Sequence, residues 1–121
     1  MENIRLGMVE ACFADIIWQN EPVSVKTLLA LCEKELNWKR TTTYTVLKKL
    51  CDRGIFVTKD RVVTSLLSKD EFTAIQSEQF VKENFCGSLP AFIAAFTTRK
   101  MPSAQELEEI KRLIEQLGEE M

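Results

Sequence analysis

The stretch NWKRTTTYTVLKKLCDRG (Asn37–Gly54) gathers five Lys or Arg and four Thr inside a chain of net charge −2. Its apolar spacing predicts a helix from about Thr41 to Arg53, ended by Gly54, because glycine tolerates the left-handed conformation that terminates helices. Val46, Leu47 and Leu50 fall on one side, with Thr43 a turn earlier. The other side carries Thr41, Thr42, Thr45, Lys48, Lys49 and Asp52, with Tyr44 at its flank. A row of short hydroxyls beside cations is unusual enough to ask what surrounds it.

Upstream, Leu6, Val9, Phe13, Ile16 and Ile17 recur at three- and four-residue steps and predict a first helix ending near Trp18 and Gln19. NEPVS interrupts it. Ser24 is suited to cap a second helix, whose apolar residues Val25, Leu28, Leu29, Leu31, Cys32 and Leu36 run to about Asn37. Downstream, IFVT and RVVTSLL flank Lys59 and Asp60 and predict a tight hairpin, although the turn lacks the Asn-Gly or Gly-Gly pair that two-residue loops favour.

The remainder predicts three more helices. Ser68 with Glu71 has capping-box spacing and opens a helix bearing Phe72, Ile75, Phe80 and Phe85. Ser88 is placed to cap a short helix with Leu89, Phe92, Ile93 and Phe96 on one face. A second capping box, Ser103 with Glu106, begins a helix striped by Leu107, Ile110, Leu113, Ile114 and Leu117. Three short amphipathic helices have little apolar area to bury on one another, so these residues are expected to face a second copy of the chain.

Charge divides along the same line. Residues 1–67 hold ten basic and eight acidic side chains, residues 68–121 six and ten. Lys39, Arg40, Lys48, Lys49, Arg53, Lys59 and Arg61 make the centre of the chain locally cationic. The 121 residues, 45% hydrophobic, suffice for a packed core. The four cysteines, Cys12, Cys32, Cys51 and Cys86, form no CxxC pair and there is no histidine, which argues against a zinc centre. The first three lie among apolar residues and are expected to act as small buried hydrophobes. No leader pattern and no apolar run of bilayer length stands out, so a reducing cytoplasm is the expected location and no membrane is an expected partner.

Three helices, a hairpin, and hydroxyls with cations on the third helix are the ordered parts of a winged helix-turn-helix. Such a helix enters the major groove: Lys and Arg meet phosphates, while Thr approaches base edges or the thymine methyl. The expected architecture is therefore mainly α with a small β-hairpin, residues 1–67 forming a winged-helix domain and residues 68–121 a three-helix dimerisation domain. An enzyme is disfavoured: no histidine serves as a general base, and no nucleophile, phosphate-loop or metal spacing occurs. A winged helix that binds only protein is the competing reading.

The chain also resembles the penicillinase-repressor family of bacterial transcription regulators. The resemblance runs through IIW at the end of the first helix, EPVSVKTL, the Trp and TTTYTVLKKLCDRGI around the third, SKDEF, SEQFVKENFCGSLPAFIAAF and LEEIKRLIEQL. It implies an N-terminal winged helix, a C-terminal helical dimerisation module and repression by a homodimer on palindromic operator DNA; separately, no cofactor is expected. It places base reading at Thr41, Thr42, Tyr44 and Thr45 and phosphate contacts at Lys48 and Lys49. Lys39 and Arg40 flank that region, and Lys59 and Arg61 stand in the hairpin. The family usually has Lys or Arg where this chain has Tyr44, and its hairpin is several residues longer. Family members of the β-lactam system are inactivated by an inducing protease at an Asn-Phe bond, and Ala95-Phe96 stands at that position here. The cysteine cluster of copper-responsive relatives has no counterpart after Cys86.

Overall fold

A computed structural model of the chain describes residues 6–120. The order of elements is α1 (Met8–Asn20), β1 (Val23–Ser24), α2 (Val25–Leu36), α3 (Arg40–Asp52), β2 (Phe56–Lys59), β3 (Val62–Ser65), α4 (Lys69–Phe85), α5 (Leu89–Arg99) and α6 (Ala104–Glu120). The fold is mainly helical with a small antiparallel sheet, strand order β1-β3-β2. Beyond the hairpin, a third strand of two residues pairs Val23 with Val63 and Ser24 with Val62. Two residues are too few to carry a readable alternation, and this strand is visible only in the folded chain.

Local signals end the helices as expected. Ser24 Oγ accepts the Thr27 N–H at 3.1 Å, and Ser88 Oγ accepts that of Ala91 at 3.1 Å. Both capping boxes close: Ser68 with Glu71 and Ser103 with Glu106. Asn37 takes the left-handed conformation (φ 57°) that ends α2, while the Trp38 N–H reaches back to the Cys32 carbonyl at 3.2 Å. Gly54, at φ 81°, stops α3. The hairpin closes through Asp60 and Arg61, both at positive φ (53° and 63°) between the paired Lys59 and Val62. This is the turn type usually filled by Asn-Gly, here built from residues that bear some strain.

The core brings together Phe13, Ala14, Ile16 and Ile17 of α1, Leu28 and Cys32 of α2, Leu47 and Leu50 of α3, and Ile55, Phe56 and Val63 at the sheet. Each large side chain so buried contributes roughly 1.5–3 kcal/mol. Trp38 stacks on Phe13 with ring centroids 5.4 Å apart. Thr43 is buried on the inner face of α3, its hydroxyl donating to the Lys39 carbonyl at 3.3 Å.

Packing divides the chain into two compact units that meet after Glu78, inside α4, where the expected boundary lay after Leu67. Phe72 is buried in the first unit, 5.5 Å from the Trp18 ring, and Ile75 packs against the same core. The Trp18 indole also donates to the Leu67 carbonyl at 3.0 Å. The first turns of α4 thus complete the N-terminal core, burying Phe72 there without a second chain and half-burying Ile75. Cys12 and Val9 are exposed, because the buried face of α1 begins only at Phe13. Cys32 is buried as expected, Cys51 half-buried and Cys86 exposed.

The second unit, Gln79–Met121, holds an aromatic cluster in which Phe92 lies 5.9 Å from Phe80, 5.5 Å from Phe85 and 6.2 Å from Phe96. No residue of α5 or α6 is buried. Leu107, Ile110, Leu113, Ile114 and Leu117 are all exposed.

Candidate nucleic-acid interface

The buried face of α3 (Thr43, Leu47 and Leu50) turns the opposite face outward. Thr41, Thr45 and Lys48 form a row at helical spacing on that exposed side, continued by Asp52. The Thr45 hydroxyl donates to the Thr41 carbonyl at 2.8 Å. Its proton is thereby spent within the helix, and the exposed side chain keeps an oxygen that can only accept, beside its methyl group. Such a side chain suits an amino group on adenine or cytosine, or a thymine methyl. Thr42 is exposed on the adjoining flank, and Tyr44 on the other flank is 46% exposed.

Beside the N-terminus of α3 lies an open groove of about 1490 Å³, and Ser24, Lys26, Lys39, Arg40, Tyr44 and Arg61 are among its lining residues. Its charge and its backbone geometry agree. α3 begins at this groove, and the N–H groups of its first turn precede the first intrahelical bond, from Thr43 to the Lys39 carbonyl at 3.1 Å. α2 begins there too. The Val25 and Thr27 N–H groups of α2 are already taken, by the Arg61 carbonyl and the Ser24 hydroxyl, so the open N-terminus is that of α3. It meets four cationic side chains, opposed by the carboxylates of Glu33 and Asp60 in the same lining, which leaves a net positive site suited to phosphate. Lys39 and Arg40 are placed against their own helix dipole, a local cost of about 0.3–1 kcal/mol each that an anion in the groove would reverse.

The hairpin borders this groove because the Arg61 carbonyl accepts the Val25 N–H at 2.9 Å, tying the turn to the start of α2. The turn brings Arg61 to the groove, but Lys59 does not line it. Strand alternation explains the separation: Phe56 and Thr58 face α3, with Thr58 Oγ1 3.7 Å from Cys51 Sγ, so Lys59 points to the other face of the sheet. The two neighbouring lysines of α3 also part. Lys48 pairs with Asp52 at 3.1 Å on the open surface, while Lys49 pairs with Glu10 of α1 at 2.8 Å. Lys26 also lines the groove, although it lies outside the cationic cluster at the centre of the sequence. A cation in the first turn after the Ser24 cap was its only signal.

Among the described residues no helix is long and apolar enough to cross a membrane. The Cys32 thiol is pushed above its ordinary pKa by burial, which keeps it protonated and unreactive. Comparison with curated proteins returns no match. The family model of the penicillinase repressor matches residues 6–116, spanning the winged helix and nearly all of the C-terminal helices. That match covers most of the chain, and the chain belongs to the penicillinase repressor family.

Proposed function

We propose that this protein is a homodimeric transcriptional repressor that binds near-palindromic operator DNA through α3. The observation that carries the reading is the convergence of Lys26, Lys39, Arg40 and Arg61 with the uncapped N-terminus of α3 on one groove, beside the exposed Thr41–Thr45–Lys48 row. In this reading the groove cations hold the phosphate backbone and set the register, and the threonines with Tyr44 meet base edges. The uncovered stripe of α6 and the exposed Leu89, Ile93 and Phe96 of α5 support association with a second copy. A two-fold dimer presents two α3 helices to major-groove segments about 34 Å apart, which is why the operator is expected to be near-palindromic.

The test is retention of the full chain on duplex DNA across a salt series. Binding at low salt that weakens with a log–log slope of about −0.9 per neutralised phosphate is the expected result. A folded chain that is not retained on any duplex at low salt would favour a winged helix that binds only protein.

A further inference from the structure

The Glu10 carboxylate uses both oxygens. One accepts the Gly7 N–H at 3.0 Å, and the other meets Lys49 Nζ at 2.8 Å. The Glu10 side chain is only 19% exposed and that of Lys49 is 50% exposed, whereas the Lys48–Asp52 pair lies open at 79% and 66%. Glu10 sits in the first turn of α1 and Lys49 in the last turn of α3, so each charge also complements the dipole of its own helix. Of two adjacent lysines, one is held by another helix and the other only by its own.

This matters for how α3 can sit on DNA. The Thr41–Thr45–Lys48 row faces a base edge only at one roll angle of the helix about its axis. Non-specific binding through phosphates tolerates a change of roll, whereas base reading does not. A tie from the end of α3 to α1, placed on the flank beside the row, opposes that roll.

We propose that Glu10 is a positioning residue for DNA recognition that acts through Lys49, fixing the roll of α3 and reserving Lys49 as a strut, with Lys48 the lysine left to meet phosphate. The inference rests on the DNA-binding reading above and assigns different roles to residues that adjoin in sequence.

The experiment uses the full chain and two probes: a duplex selected from a random-sequence pool by the wild-type protein, and bulk random-sequence duplex. Affinities are measured across a salt series, at a temperature where circular dichroism shows every variant folded. Glu10→Gln and Lys49→Met should each lose roughly 3- to 10-fold in affinity for the selected duplex, and the double variant should lose no more than either alone. Binding to bulk duplex and the salt slope should stay at wild-type values. Lys49→Arg, which keeps the pair, should retain the preference. Lys48→Met should flatten the slope by about 0.9 on both probes. An equal flattening by Lys49→Met would put Lys49 on a phosphate and overturn the proposal. So would a fall in melting temperature with no change in the ratio between the two probes, since that marks a strut of stability alone. Wild-type protein retained on neither probe at low salt would instead overturn the DNA-binding reading, and the proposal with it.

Discussion

Ser65, at the end of the central strand β3, donates its N–H and its hydroxyl to the carboxylate of Glu21, each at 2.8 Å, across 44 residues of sequence. The hydroxyl also lies 2.9 Å from the second carboxylate oxygen. This part-buried contact fastens the base of the hairpin to the segment that follows α1. Glu21→Ala leaves the Ser65 groups without their acceptor and should cost roughly 1–3 kcal/mol in urea denaturation. Glu21→Gln keeps one acceptor oxygen and should cost less. Equal stability of all three proteins would show that water replaces the carboxylate without loss.

The turn at Asp60 and Arg61 offers two readouts of opposite sign. Arg61→Gly removes a side chain from a left-handed position and should raise stability by up to about 1 kcal/mol, tempered by the entropy of glycine in the unfolded chain. The same change removes a groove cation, so binding should weaken on every duplex and the salt slope should flatten by about 0.9. Unchanged binding would take the hairpin out of the interface.

Thr45 separates base reading from affinity. Its exposed oxygen is an acceptor only, since its proton goes to the Thr41 carbonyl. Thr45→Val keeps a methyl and removes the acceptor, while Thr45→Ser keeps the oxygen and removes the methyl. One of the two should change the sequence selected from a random pool, by about 1–3 kcal/mol at the affected base pair, with little effect on bulk binding. If both select the wild-type sequence, base reading lies with Tyr44 or the groove.

The unit boundary within α4 is testable by truncation. Phe72 closes the core over Trp18, so Phe72→Ala should cost about 3–5 kcal/mol. A fragment ending at Leu67 should be markedly less stable than one ending at Glu78, by thermal denaturation. The Glu78 fragment should be monomeric by light scattering and bind half-sites weakly, because it lacks the α6 stripe. In the full chain, Ile110→Asp should have the same effect on oligomeric state.

Acid should act through Glu10. Its carboxyl is held below the ordinary value of 4.5 first by the hydrogen bond from Lys49 and next by the Gly7 N–H, with Arg53 adding positive field. A depressed folded pKa means stability that is present above the unfolded value and lost as pH falls through the folded one. The stability gap between wild type and Glu10→Gln should therefore be full at neutral pH and close below about pH 4.5. A gap that persists at low pH would assign the loss to packing.

The helices, their caps and the outward face of α3 were legible in the residues because each depends on neighbours three or four positions away. Ser24, Ser88, the Ser68–Glu71 and Ser103–Glu106 boxes and Gly54 all act within one turn of backbone, where spacing alone sets geometry. Only the tertiary structure decided that Phe72 belongs to the first core, that Cys12 and Val9 stay exposed, and that β1 joins the sheet. It also decided that Arg61 and Lys26 border the groove while Lys59 does not. Above all it parted Lys48 from Lys49, one held by Asp52 within its own helix and the other by Glu10 on α1. Such choices depend on which distant surface a side chain meets after the helices pack, and helical periodicity fixes only the direction in which it leaves its own axis.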